Sequence, residues 1–376
     1  MNVIKILIKN TFIISFITFI MFETFGFFLS KTNVIPSGSP AVISLFADKN
    51  FAVWHPKNMK FKHHYNTCWD PSYVTFNNIG ARSTKDYYET KTKKRIALLG
   101  DSMIEMIHVN DNYDIGSLLS KNLKKFEILN FSARSMGLFD QIKIYRKMVR
   151  NYNVDHVIIF ITENDLENNY VKDLKVFNPT RETFYVENDI IKKKPYDESW
   201  YNSYYSSINK FKRSKLMLLV KEYSYTFKVY FHIKTLLRQK KAVNQSKNIS
   251  EKEFNILYSE IDNQAKVYKY LIQKFIKDIE KDDVNLYVVM NLRNYLFEKV
   301  DPYDFREILR KKHFEKLLEL WQPHKPYFFY KEANEFIRQN QKKITGNFKN
   351  LGHVCDDHYS KFGAKFLSDQ ISGIFK

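Results

Sequence analysis

Short apolar runs recur along this chain, and each ends in a polar turn or leads into an amphipathic segment. They occupy residues 96–99, 126–131, 157–161 and 284–291. Apolar runs of this length between turn residues are typical of buried strands, and the segments after them have helical spacing. Because strands that alternate with helices build parallel sheets covered on both faces, the pattern predicts an α/β fold with a three-layer parallel sheet.

The alternation stops between residues 170 and 282, which predicts a large helical insertion. Residues 206–240 and 251–280 have the pattern of long helices, and the first of these is rich in aromatic residues and lysines. Such a helix packs on a core with its lysines reaching water, or it lies on a membrane surface. We favour packing. Further helices are predicted at about 303–320 and 329–341, with a last helix at the carboxyl terminus.

The amino-terminal residues 11–29 read TFIISFITFIMFETFGFFL and contain one charge, Glu23. This apolar stretch is long enough to span a bilayer. Lys5 and Lys9 precede it, which predicts a cytoplasmic amino terminus and places everything after Lys31 across the membrane. A cleaved signal peptide is the alternative. No small-residue cleavage site follows the apolar run, so we favour an uncleaved anchor.

Composition adds limits on partners and on the redox state. With 44% hydrophobic residues in 376, the chain can bury a sizeable core, and its net charge of +19 suggests affinity for acidic headgroups or acidic glycans. No zinc-finger spacing, RNP signature or basic-region helix supports a nucleic-acid partner. Pairing of Cys68 with Cys355 is left open.

The expected organisation is a cytoplasmic tail 1–10, a transmembrane anchor 11–30, a lead-in with short strands 31–93 and a domain 94–376.

A candidate nucleophile follows the first predicted strand, where residues 95–105 read RIALLGDSMIE. The strand, turn and helix pattern presents Ser102 at the carboxyl end of a strand, which is where ligands bind in open α/β sheets. A serine that opens a helix also has its own N–H among the unpaired donors of the first turn. Ser102 is therefore a candidate for both attack and oxyanion binding. The structural alternative is a helix N-cap.

A serine nucleophile needs a base, and the base needs a group that orients it. His358 lies in a polar loop before the last predicted helix, and Asp356, two residues earlier, can reach back to its Nδ1 atom. Asp357 is the less favoured orienter, and a capping role for His358 is the alternative. The other histidines considered have no equally close acidic partner and are expected to be structural or exposed: His108, His156, His313, His324 and His353.

An oxyanion site needs hydrogen-bond donors where negative charge develops on the carbonyl oxygen. Asn164 ends the third predicted strand, and its carboxamide can donate, although an Asx-turn is the structural alternative. Ser135 and Gly137 lie in the loop after the second strand, within NFSARSMG, where a backbone N–H can point into the same cleft.

Four blocks in this order resemble those of the SGNH/GDSL hydrolases: Gly100 to Ser102, the loop 130–137, Asn164 with Asp165, and Asp356 to His358 followed by Ser360 and Gly363. The resemblance covers residues 94–168 and 352–372. FNNIGARS, at residues 76–83, is similar to the lead-in of membrane-anchored extracytoplasmic members. The resemblance implies a flavodoxin-like fold without metal or organic cofactor. It also implies a set of roles: Ser102 as nucleophile, His358 as base, Asp356 as its orienter, and Ser102 N–H, Ser135 N–H and the Asn164 side chain as oxyanion donors.

The chain departs from the family pattern at three places. Ser135 and Thr162 stand where the family has glycine, and the Asp-x-His spacing is similar to that of cell-envelope polysaccharide O-acetyltransferases in the same superfamily.

The expected function is that of a serine esterase, deacetylase or O-acyltransferase acting on acyl esters of an extracytoplasmic, cell-envelope glycan or lipid. The alternatives are an inactive relative that binds an anionic envelope glycan and a structural partner that docks through the insertion. The sequence indicates no particular protein partner.

Overall fold

The computed structural model describes residues 2–32, 34–35, 46–48, 51–64, 70–171, 182–194, 215–246, 250–297, 304–342, 344, 348–353 and 358–376. Strands within these residues are β1 Phe46–Asp48, β2 Ala52–Trp54, β3 Met59–His63, β4 Ser72–Phe76, β5 Lys94–Leu99, β6 Phe126–Asn130, β7 His156–Ile161, β8 Thr183–Glu187, β9 Ile190–Lys194, β10 Asn285–Met290, β11 Phe348–Lys349 and β12 Gly352–His353. Helices are α1 Asn2–Lys31, α2 Ser102–Glu105, α3 Ile115–Asn122, α4 Leu138–Lys147, α5 Asp165–Asn168, α6 Lys215–Tyr223, α7 Tyr225–Ser246, α8 Glu251–Ser259, α9 Ile261–Lys281, α10 Phe305–Trp321, α11 Tyr330–Asn340 and α12 Lys361–Ile374.

The central sheet has the order β10-β7-β5-β6, and every pair in it is parallel. A parallel bridge between Val289 and Tyr327 adds a further backbone contact at the β10 edge. This is a doubly wound arrangement, so the predicted flavodoxin-like parallel sheet is confirmed. Because the strands are parallel, the turns that follow β5, β6, β7 and β10 all lie at one edge of the sheet.

Both faces of the sheet are covered, as the unbroken apolar runs predict. Successive β5 side chains alternate between two buried clusters, with Ala97 and Leu99 in one and Ile96 and Leu98 in the other. The first cluster includes apolar residues of α4, α9 and α10, and the second includes residues of α3, α11 and α12. The sheet is therefore the middle of three layers.

The insertion differs in detail from its sequence pattern. The predicted helix 251–280 is two helices, α8 and α9, which meet at Glu260, and the described part of the predicted helix 206–240 is divided into α6 and α7 at Ser224. Ser224 Oγ accepts a hydrogen bond from Phe227 N at 3.2 Å, which is how a serine starts a new helix. Residues 206–214 lie outside the described residues. A hairpin of β8 and β9 comes before these helices.

The lead-in contains antiparallel strands, including the hairpin of β3 and β4. Asn77 holds the turn after β4, because its Oδ1 accepts from Ile79 N and Ala81 N at 3.1 and 2.9 Å. Gly80 has φ of +83°, and a Cβ there would lie 2.5 Å from the His55 carbonyl oxygen, so glycine is needed. In the described part of the chain, α1 is the one helix long and apolar enough to cross a membrane.

Candidate active site

The turn after β5 places Ser102 at the start of α2. Asp101 is the N-cap, and its Oδ1 accepts from Met103 N at 2.9 Å. Ser102 is thus the first residue of the helix and not its cap. A Cβ at Gly100 would lie 2.8 Å from Ile104 Cγ1, so glycine allows the helix to turn back tightly over the strand end. The Ser102 N–H belongs to the first turn, whose leading donors have no partner within a helix.

His358 contacts Ser102 directly. Its Nε2 lies 2.8 Å from Ser102 Oγ, although the two residues are 256 positions apart. Backbone hydrogen bonds from His353 N to His358 O and from Ser360 N to Leu351 O hold this segment beside β12. Ser360, not His358, caps α12. The predicted orienter Asp356, the alternative Asp357 and both cysteines lie outside the described residues.

His108 packs edge-on against the His358 ring, with the ring centroids 4.5 Å apart. It is buried, and its burial lowers the pKa of the imidazole well below its usual value. His63 and His353 form the next ring contacts of His108, at 5.4 and 6.2 Å. His108, which its sequence context predicts to be structural or exposed, is therefore in contact with the candidate base, a role that the sequence pattern did not indicate. The one available signal was its position six residues after Ser102.

A buried hydrogen-bond network joins the ends of three strands beneath Ser102. Thr162 Oγ1 donates to Asp101 Oδ1 at 3.3 Å, and Asn291 Nδ2 donates to Thr162 Oγ1 at 2.9 Å. Tyr359 Oη, next to His358 in the chain, accepts from Leu292 N at 2.7 Å. Burial raises the pKa of Asp101. The hydroxyl of Thr162, which replaces the glycine of the family pattern, therefore contributes to the support of the Ser102 turn.

A second network, here called the Glu105 network, consists of Glu105, His55 and Arg134. Glu105 lies at the end of α2, and its Oε1 is 3.0 Å from His55 Nε2 and 3.3 Å from a guanidinium nitrogen of Arg134. Burial by itself would raise the pKa of Glu105, but the charge of Arg134 and the hydrogen bond from His55 hold it at about 2. The ionised carboxylate thus ties the lead-in and the loop that contains Ser135 to the helix that begins with Ser102.

The two other predicted oxyanion residues lie on neighbouring turns of the same sheet edge. Ser135 is exposed and has φ of +61°, the left-handed region that glycine adopts most easily. Asn164 comes directly before α5, and its buried Oδ1 has no hydrogen-bond partner in the described part of the chain. Asp165, not Asn164, accepts from Thr162 N at this turn. Among the described residues, neither Ser135 nor Asn164 forms a hydrogen bond with Ser102 or His358.

Beside Asn164 the structure has a cavity of about 290 Å³, here called the arginine cavity. Arg293 pairs with Glu163 at the cavity wall through contacts of 2.8 to 3.1 Å, and its Nη1 also reaches Met103 Sδ at 3.6 Å. Burial opposes ionisation of Glu163, but the charge of Arg293 keeps the pKa of this carboxyl below its usual value. The full lining consists of Glu163, Asn164, Glu167, Leu257, Arg293, Arg306, Leu309, Arg310 and His313.

No protein-family model and no curated protein matches the sequence. Among solved structures, the chain is similar to an acetyl xylan esterase, AlAXEase, with 10% identity, a TM-score of 0.39, and coverage of 75% of this chain and 100% of that one. A lipase/acylhydrolase from Enterococcus faecalis has 12% identity and a TM-score of 0.38, with 75% and 95% covered. A member of the lipolytic protein G-D-S-L family from Veillonella parvula DSM 2008 has 9% identity and a TM-score of 0.37, with 75% and 98% covered.

Proposed function

We propose that this protein is a serine enzyme of the SGNH/GDSL type that acts on acyl esters through an acyl-enzyme. The observation that supports this most directly is the 2.8 Å contact between Ser102 Oγ and His358 Nε2 at the carboxyl edge of the sheet. A serine next to an imidazole is the arrangement that activates a hydroxyl for attack. The motif blocks of the family contribute both residues, and they occur in the family's order.

In the first half-reaction, Ser102 Oγ attacks the ester carbonyl carbon while His358 Nε2 takes the hydroxyl proton. The tetrahedral oxyanion is bound by the N–H groups of Ser102 and Ser135 and by the side chain of Asn164. The intermediate then collapses, its bond to the alcohol oxygen breaks, and His358 returns the proton to the leaving alcohol. Asp356 orients His358, as the family resemblance implies.

In the second half-reaction, the acceptor hydroxyl gives its proton to His358 and attacks the acyl-enzyme carbonyl. Collapse breaks the bond to Ser102 Oγ, which regains the proton. When the acceptor is water, the enzyme is an esterase or deacetylase. When the acceptor is a sugar hydroxyl, it is an O-acyltransferase. Each half-reaction conserves protons and needs no redox partner.

We place this activity outside the cytoplasm on acyl esters of a cell-envelope glycan or lipid, with α1 as an uncleaved membrane anchor. The apolar length of α1 and the lysines before it support the anchor and its orientation. The net charge of +19 and the arginine cavity support a substrate that carries negative charge near the acyl group.

Labelling of the full-length protein with a fluorophosphonate tests the proposal, because an activated serine reacts and an idle one does not. We expect wild type to be labelled at Ser102 and Ser102→Ala to remain unlabelled. Ser120→Ala, which removes a serine hydroxyl from α3, is the matched control and should label like wild type. An unlabelled wild type would instead favour the alternative of an inactive glycan-binding or assembly protein. Ser135 in place of glycine at a positive φ favours that alternative.

The second measurement separates hydrolysis from transfer. Purified enzyme is given an activated acetyl ester with and without an oligosaccharide acceptor, and the acetyl group is followed by mass spectrometry. Acetylated oligosaccharide in excess of free acetate indicates a transferase, whereas acetate alone indicates an esterase.

A further inference from the structure

Glu23, the one acidic residue in the apolar stretch of α1, is bonded to the insertion. Its carboxylate accepts from Ser224 Oγ at 2.5 Å, from Tyr225 N at 2.7 Å and from Thr226 N at 3.2 Å. These donors are at the start of the 22-residue helix α7, where N–H groups lack partners and the helix dipole favours an anion. Glu23 therefore caps a helix that is encoded about two hundred positions later.

The same face of α1 continues the contact one turn further along. Gly26 is buried against Tyr225, and a Cβ at this position would lie 2.9 Å from Tyr225 Cβ. The Phe27 ring meets the Tyr225 ring edge-on at 5.4 Å. Close approach at a small residue is a common way for helices to pack within a membrane.

Apolar side chains on the two insertion helices remain exposed. Spacings of three and four residues align those of each helix along one side. On α6 they are Leu216, Leu219, Val220 and Tyr223, and on α7 they are Tyr230, Ile233, Leu236 and Leu237. Apart from Val220, each is at least half exposed. Apolar stripes of this extent on a soluble surface indicate a missing partner.

The position of Glu23 along α1 favours lipid as the partner that covers these apolar stripes. Glu23 lies eight residues before Lys31, which is about 12 Å along the helix. This is less than half of the roughly 30 Å hydrocarbon core of a bilayer. With α1 as a membrane anchor that ends at Lys31, the start of α7 lies at a depth where an unpaired carboxylate and unpaired N–H groups are both costly. Their mutual hydrogen bonds remove that cost. Lys234, 5.6 Å from the Tyr230 ring, has the character of a residue at the membrane interface.

We propose that α6 and α7 insert into the outer half of the bilayer beside α1, with lipid acyl chains covering their exposed apolar stripes. The inference rests on α1 being a retained anchor, which is part of the proposed function. It adds a second attachment that holds the sheet domain at the membrane surface. It also gives Glu23 a purpose, since a cleaved signal peptide has no need for a capping contact with the mature fold.

Photolabelling of the wild-type protein tests this without any substitution. Full-length protein is reconstituted into phosphatidylcholine vesicles that contain a lipid with a diazirine on its acyl chain. After illumination, labelled residues are located by peptide mass spectrometry. We expect adducts on α1 and within residues 216–223 and 230–237, at least tenfold above the level on the surface residues of α12. Adducts on α1 but not on 216–237 would overturn the inference. If α1 itself stays unlabelled, the anchor in the proposed function is wrong.

Glu23→Leu tests the capping contact. It should lower the labelling of residues 216–223 severalfold and leave the labelling of residues 12–20 unchanged, because the helix start loses its acceptor. Thr24→Leu is the matched control. Thr24 is exposed on the neighbouring face, and among the described residues its hydroxyl bonds within α1, to Ile20 O. Equal losses in the two variants, or no loss in Glu23→Leu, would contradict the role assigned to Glu23.

Discussion

At the scale of single residues, Ser102 is the position on which the proposed chemistry depends. We predict that Ser102→Ala lowers kcat/KM on short acyl esters by three or more orders of magnitude, roughly the effect of removing a triad member. The Oγ atom that would form the acyl-enzyme is lost, while the turn keeps its Asp101 cap. Steady-state kinetics on p-nitrophenyl acetate measures the effect. Turnover near that of wild type in the purified variant would exclude Ser102 as the nucleophile.

Ser135 holds a left-handed backbone conformation that costs a residue with a Cβ about 1 kcal/mol. Ser135→Gly should therefore raise the free energy of unfolding by about that amount, with the N–H still in place for an oxyanion. Urea unfolding measures the change. Ser135→Ala, which keeps the Cβ, serves as the comparison and should not be stabilised. A glycine variant no more stable than wild type would contradict the assigned strain, and an alanine variant less stable than wild type would show that the Ser135 hydroxyl stabilises this turn.

At the scale of elements, the Glu105 network connects α2 with the lead-in and with the Ser135 loop. Glu105→Gln leaves Arg134 and His55 without their buried anion, and removal of one partner from a buried pair typically costs about 3 kcal/mol. We expect a lower free energy of unfolding by that amount at pH 7. Esterase activity should fall as well, because the Ser135 loop loses its ion pair with α2. Glu335→Gln, on the exposed side of α11, is the control and should change neither.

The arginine cavity gives a prediction about substrate charge. Arg306 is exposed at the start of α10 and lines the cavity beside Asn164. Arg306→Gln should raise KM severalfold for an acetyl ester that carries a carboxylate and leave kcat/KM for a neutral ester unchanged. Arg338→Gln removes the same charge from exposed α11 and should affect neither substrate. Equal effects of the two variants would show that a preference for the charged ester comes from general attraction by the net charge of +19 and not from the arginine cavity.

At the scale of the whole molecule, buried histidines couple stability to pH. Burial lowers the pKa of His63 to about 3, so His63 stays neutral in the folded protein at pH 5. In the unfolded chain a histidine takes up a proton below about pH 6.5. The unfolded state then binds more protons, so stability is complete above pH 6.5 and falls as the pH drops toward 3.

From this shift we expect His63 to account for a loss of about 2 kcal/mol of unfolding free energy between pH 7 and pH 5. Urea unfolding of wild type and His63→Phe at both pH values tests it. The variant should lose less unfolding free energy than wild type between pH 7 and pH 5. The difference between the two proteins at pH 7 measures the effect of the substitution on packing. Equal losses in the two proteins would show that His63 does not contribute to the pH dependence.

Local sequence was enough to predict the sheet strands and the serine turn. A buried strand is marked by an apolar run, and a tight strand-to-helix turn is marked by its turn residues. Both patterns fall within about ten positions, as in residues 95–105. Breaks in helices were harder to predict. Ser224 does not interrupt the helical spacing of its segment, and it ends α6 because its hydroxyl caps α7 and donates to Glu23.

Local pattern and chemistry made Ser102 and His358 candidates, and the resemblance to a known family implied their roles of nucleophile and base. Only the tertiary structure decided that these two side chains touch, that His108 packs on His358, and that Glu23 caps α7. Each contact joins residues that are adjacent in space but not in sequence. It depends on packed side-chain directions, which the pattern of apolar and polar positions does not encode.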